Sequence, residues 1–205
     1  MTLMICSGVI MSPSSHKAND LIRLFLASLG LGHRGSEIRS YVYLNEAKGM
    51  HMISDLHGKV AFITGSAGGI GLGMARAFAE AGMAIAMADI DADALGRAAS
   101  DLESSGAKVL ALPLDVTDRP GWAAAAEKVA ATLGPVQLLC NNAGISTLGL
   151  KFAEVTPELW TRVIDINLNG AFNGVHYFLE SMVAAGGGHI VNTASMGACS
   201  VAFRA

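Results

Sequence analysis

Cysteine is scarce in this 205-residue sequence: Cys6, Cys140 and Cys199 are scattered and odd in number. That argues against a disulfide framework, offers no metal-ligand spacing, so that no metal is expected, and points to a reducing, cytoplasmic setting. Charge is sparse as well. With 15% Asp, Glu, Lys and Arg and a net charge of −3, the chain gives no electrostatic reason to expect nucleic acid or an acidic membrane as a partner. Long apolar runs are missing too: although 52% of the residues are hydrophobic, Gly, Asp, Asn or Arg interrupts every stretch. None reaches the roughly 20 residues of a membrane-spanning helix. The apolar surplus is mostly alanine, joined by many glycines, which suits helices packed closely on a sheet. The length fits one α/β domain rather than two.

Residues 1–52 read differently from the rest and are expected to be an irregular or disordered extension. "MTLMICSGVIM" has no sustained period and lacks the positive start of a secretory leader. "DLIRLFLASLG" fits one short amphipathic helix, and Asp20, Glu37 and Glu46 interrupt the acid-poor pattern of a mitochondrial presequence. The alternative is a start assigned too far upstream, with Met50 or Met52 as the natural beginning.

From 53 to 205 short apolar runs alternate with helical patterns. "KVAFIT", "MAIAMAD", "KVLALPL", "VQLLCNNAG" and "HIVNTAS" read as five strands. Helices are expected from about Gly69 to Ala81, across "ADALGRAASDLESS", across "GWAAAAEKVAATLG" up to the Gly134–Pro135 stop, and from Pro157 to about 185, capped by Thr156. Strands separated by helices imply a parallel sheet covered on both faces. Right-handed crossovers make it a doubly wound, Rossmann-type three-layer α/β/α fold of about five strands, with its ligand crevice at the strand C-terminal ends.

The stretch "ITGSAGGIGLGMARAF" (63–78) lies between the first of these strands and its helix. Gly65 lets the chain turn sharply, Gly69 lets backbone approach a pyrophosphate, and Gly71 lets the helix pack on the sheet, with free amides and a positive dipole end aimed at phosphates. A glycine-rich turn alone is weak support, but Asp89 ends the next strand 20 residues after Gly69, where a carboxylate can accept both hydroxyls of an adenosine ribose. The competing reading is that Asp89, like Asp91 and Asp93, caps the following helix. Cys140 reads as a buried strand residue, and His176 and His189 as surface or helix-packing residues.

Five motifs in order resemble the short-chain dehydrogenase/reductase family: "TGSAGGIG" (64–71), "LDVTD" (114–118), "NNAG" (141–144), "DINLNGAF" (165–172) and "HIVNTAS" (189–195). The resemblance implies that Gly65, Ser66, Gly69, Ile70 and Gly71 hold a cofactor pyrophosphate and Asp89 the adenosine ribose. Asp115 and Val116 would lie against adenine, and Asn142, Ala143 and Gly144 would border the cofactor. It implies Asn167 as the residue that perturbs its helix and holds a proton-relay water, and Ser195 as the hydroxyl that hydrogen-bonds the substrate oxygen. Asp89, with no Arg or Lys in the turn or just after the strand, favours NAD over NADP. The implied reaction is hydride transfer between NAD and a small secondary alcohol or its ketone. Relatives commonly pair through the helix at about 157–185 and through the one that follows, so a homo-oligomer with an incomplete interface is expected.

The family's catalytic Tyr, with a Lys four residues later, should follow Ser195 by about a dozen residues. The sequence stops 10 residues after Ser195 (205 − 195), and Tyr41, Tyr43 and Tyr177 are followed at that spacing by Asn45, Ala47 and Ser181. The expectation is therefore a C-terminally truncated cofactor domain, inactive as it stands, with the fifth strand left as an exposed edge. The alternative function is a non-catalytic dinucleotide-binding or interaction module.

Overall fold

The computed structural model describes residues 3–10, 55–147 and 150–195. In chain order these give strand β1 (Leu3–Ile10), β2 (Val60–Thr64), helix α1 (Gly69–Glu80), β3 (Ala84–Asp89), α2 (Ala92–Ser104), β4 (Val109–Pro113), α3 (Arg119–Thr132) and β5 (Val136–Asn141). After a short 3₁₀ turn follow α4 (Pro157–Ile164), a π-helical turn (Asp165–Asn169), α5 (Gly170–Ala184) and β6 (Gly188–Ser195). One sheet forms in the order β1-β6-β5-β2-β3-β4, with β2 to β6 parallel. The order reverses between β2 and β5, which opens a crevice at their C-terminal ends.

β2 shows why the sheet needs cover on both sides. All five of its residues are buried, and its alternating side chains feed two cores. Val60 and Phe62 join Trp122, Val129 and Phe178 of the α3 and α5 layer, whereas Ala61 and Ile63 join Met74, Phe78 and Leu95 of the α1 and α2 layer. The first core is keyed by Phe62, whose ring centroid lies 4.7 Å from Phe178 and 5.5 Å from Trp122.

The helix starts follow local chemistry. Asp91 caps α2 by accepting the Ala94 amide at 2.9 Å, and Thr156 caps α4 by accepting from Leu159 at 3.2 Å. Pro157 opens α4, where no amide donor is needed. α3 begins at Arg119 rather than Gly121 because Pro120 fits a first turn.

Residues 3–10 correct the reading of the extension as irregular throughout. They pair antiparallel with β6, Leu3 opposite Ser195 and Ile10 opposite Gly188. The open edge of β6 would otherwise present unpaired amides and carbonyls, and a remote segment can satisfy them without any side-chain period. The same pairing corrects the expected exposed edge at β6. Among the described residues no helix is long and apolar enough to cross a membrane.

Candidate cofactor site and active-site crevice

The turn after β2 is shaped by contacts that only glycine permits. Gly65 has φ +64°, and a Cβ there would stand 2.9 Å from the Cα of Ala143. At Gly71 a Cβ would collide with the Gly65 carbonyl oxygen. Gly68 and Gly69 face the other way: nothing lies within 4 Å of where their side chains would begin. The outer face of the turn is thus bare backbone. Gly68 caps α1 without a side-chain bond, so its cap residue leaves the first amides and positive end of this 12-residue helix open. Ser66 is turned away from this surface. It is fully buried and its hydroxyl donates to the Ala88 carbonyl at 3.2 Å, so it anchors the turn to β3.

Asp89 ends β3 beside the turn. Its Oδ2 accepts the Ala67 amide at 2.9 Å and its Oδ1 the Asp91 amide at 3.1 Å, while capping of α2 falls to Asp91. A carboxylate has about four acceptor positions, so Asp89 keeps capacity for outside donors. Past Asp89 opens a cleft of about 510 Å³, lined by Ile90, Asp115 and Thr117 from the strand ends and by Thr161, Arg162 and Ile166 from the α4 side. Asp115 Oδ1 accepts both the amide and the hydroxyl of Thr117, at 2.9 and 2.8 Å. Val116 is buried, and its carbonyl accepts from Trp122 Nε1 at 2.8 Å and from Asn173 Nδ2 at 3.0 Å.

Two consecutive asparagines close the crevice from β5, on opposite sheet faces. Asn141 Nδ2 donates to Asn192 Oδ1 at 2.9 Å and to the Ala171 carbonyl at 3.3 Å, tying β6 and α5 to β5. Asn142 Nδ2 donates to the carbonyls of Thr64 and Gly65, at 3.0 and 3.3 Å, and its Oδ1 accepts from Thr193 Oγ1 at 3.1 Å. Thr64 Oγ1 in turn accepts the amides of Asn142 and Ala143, both at 2.9 Å. Burial pushes the Cys140 thiol up to about 12, so it stays protonated and is no nucleophile at neutral pH.

Asn167 sits in the π turn that interrupts the long helix. Its Oδ1 accepts the Ile145 amide and its Nδ2 donates to the Ile145 carbonyl, both at 2.9 Å. Gly144 makes room for this pairing, since a Cβ there would lie 3.2 Å from Asn167 Oδ1. Ser195 is the last residue of β6, at its C-terminal end. Its side chain lies outside the described part of the structure, as do residues 196–205.

The short chain dehydrogenase profile matches residues 59–203. The chain belongs to the short-chain dehydrogenase/reductase family. Among short-chain dehydrogenase relatives, it is 37% identical over 145 residues to a cyclohexanol dehydrogenase of Acinetobacter sp. strain SE19, covering 71% of this chain and 58% of that protein. It is 40% identical over 147 residues to a C alpha-dehydrogenase of Sphingobium sp. strain SYK-6, covering 71% and 48%. A Burkholderia phymatum family member, solved in complex with NAD, superposes with TM-score 0.62 at 34% identity, over 65% of this chain and 47% of that one. The chain thus spans about half the length of the relatives it matches.

Sequence reasoning missed several residues of this short-chain dehydrogenase crevice. Thr64 was readable as one polar residue ending an apolar strand, and Gly170 and Gly174 as small residues four apart on one helix face. Gly170 admits Val116, and Gly174 admits the Asn141 carboxamide. Thr193 and Asn192 carried no signal beyond their strand. His189 is corrected from a surface or helix-packing residue to a buried strand residue, and burial holds its imidazole below the ordinary 6.5.

Proposed function

We propose that this chain forms the cofactor half of an oxidoreductase that interconverts a secondary alcohol and its carbonyl, with NAD preferred over NADP. The observation that carries the reading is the Asp89 carboxylate, held against the bare glycine turn through the Ala67 amide. The residues present fit the cofactor: open space above Gly68 and Gly69 leaves room for a pyrophosphate, and the uncovered start of α1 favours its charge. Gly65, Gly69, Ile70 and Gly71 would hold that pyrophosphate, and Asp89 would accept the ribose hydroxyls. A 2′-phosphate would meet the Asp89 charge instead. Asp115 and Val116 would border the adenine, with Asn142, Ala143 and Gly144 beside the nicotinamide half.

When bound, NAD supplies the hydride acceptor. Ser195 hydrogen-bonds the substrate oxygen where charge changes. Asn167, whose side chain pairs with Ile145 in the π turn, would hold the water of a proton relay. The names of the matched relatives support the substrate class, since cyclohexanol is a secondary alcohol. The exposed apolar side chains Trp160, Leu168, Phe172 and Val183 along α4, the π turn and α5 support pairing with a second copy, and the scattered cysteines support a cytoplasmic setting.

The test is a fluorescence titration of the purified protein with NADH. Saturable binding displaced by NAD supports the reading, and no saturable binding removes the cofactor with all chemistry built on it.

A further inference from the structure

We propose that Thr193 is a positioning residue that holds the cofactor turn from the strand carrying Ser195. The inference rests on the cofactor reading above and adds to it a link between the two halves of the crevice. Thr193 Oγ1 donates to Asn142 Oδ1 at 3.1 Å, and the Asn142 amide group donates to the Thr64 and Gly65 carbonyls at 3.0 and 3.3 Å. One orientation of the carboxamide satisfies all three contacts: oxygen toward the hydroxyl, NH₂ toward the two carbonyls. Rotated by half a turn, it would point its oxygen at two other oxygens. Thr64 Oγ1 fixes the same turn from the opposite side by accepting the Asn142 and Ala143 amides. The turns after β2 and β5 therefore form one hydrogen-bonded unit, and Thr193 joins it to β6.

Two successive β6 residues thus do different work. Asn192 holds Asn141, which holds α5 through the Ala171 carbonyl, whereas Thr193 holds Asn142 and the glycine turn. Thr193 lies two residues before Ser195 in the same strand, so both backbone positions belong to one sheet face. The register that seats Thr193 on Asn142 is the register of the strand that ends at Ser195. A ligand that tightens the Gly65 turn then tightens the end of β6, and the coupling is reciprocal.

Thr193→Val keeps the shape and removes the donor, leaving Asn142 Oδ1 without that partner, whereas Thr193→Ser keeps the hydroxyl. The experiment combines NADH affinity with hydrogen exchange of segments 63–71 and 188–195, with and without NADH, each protein being studied well below its own melting temperature. Thr193→Val should bind NADH roughly tenfold more weakly, the scale of one lost hydrogen bond. Its unliganded 63–71 segment should exchange faster, and NADH should no longer slow exchange across 188–195. Thr193→Ser should follow the wild type. Should the valine variant not fold, Thr193→Ala carries the same expectations.

Unchanged affinity and unchanged exchange at the turn in the valine or alanine variant would overturn the role of Thr193. If the wild type fails to bind NADH while the variant turn still exchanges faster, the cofactor reading fails and the positioning role stands. A loss of thermal stability with affinity and turn exchange intact would reduce Thr193 to a packing residue and overturn the proposal.

Discussion

The Gly65 carbonyl oxygen occupies the place where the Cβ of any other residue at Gly71 would stand, so the cofactor turn and the first turn of α1 meet backbone to backbone. Gly71→Ala must push the two apart, and thermal unfolding should report a loss of about 1–3 kcal/mol. Gly68→Ala enters open space at an extended residue, with φ −164°, and should keep the fold while weakening NADH binding. Equal stability of the two variants would contradict the packing described.

A second tight contact lies where α5 crosses β5. A Cβ on Gly174 would collide with Asn141 Oδ1, a buried acceptor with no hydrogen-bond partner among the described residues. Gly174→Ala should cost about 1–3 kcal/mol. Combined with Asn141→Ala it should cost less than the two single changes summed, because the second removes the atom that clashes. Strict additivity in a double-mutant cycle would show that the two residues do not compete for that space.

Asn167 replaces a backbone partner for Ile145. Asn167→Ala should release both bonds and cost about 1–2 kcal/mol, with faster hydrogen exchange across 165–169. Asn167→Asp should be worse than alanine, since it would set an anionic oxygen against the Ile145 carbonyl. An aspartate variant as stable as the wild type would remove the Nδ2 contact from the account.

Much of this was legible because the sequence writes it locally. The runs 60–64 and 84–89 are continuous apolar strands, the glycines mark a turn by spacing, and Thr156–Pro157 announces a helix start. What stayed hidden depends on partners far along the chain. β1 is defined by pairing with a strand some 180 residues away, and no period in "LMICSGVI" names that partner. Thr193 matters because Asn142, 51 residues earlier, faces it. The resemblance implied Ser66 among the cofactor residues, and nothing local announces that the turn points its hydroxyl inward to the Ala88 carbonyl. The carboxylate at Asp89 admitted two readings, and the cap fell to Asp91 because Asp91 stands three residues before the Ala94 amide.

Buried His189 gives the fold an acid-sensitive element. Burial depresses its folded pKa below 6.5, so the unfolded chain takes up the proton first as pH falls. Its contribution to stability is complete above pH 6.5 and is lost as pH falls through the folded value. The slope from this one proton is at most about 1.4 kcal/mol per pH unit. His189→Gln should flatten that part of the stability profile, and an unchanged profile would assign acid sensitivity to other groups.

The account turns on Asp89 as the group that reads the ribose, and competitive titration of NADH against NADPH tests it most directly, on the wild type and on Asp89→Ala. The wild type should favour NADH by at least about tenfold, or 1.4 kcal/mol. Asp89→Ala should narrow that gap mainly by weakening NADH. Equal affinities in the wild type, or a ratio untouched by the substitution, would contradict the assignment of this crevice to NAD.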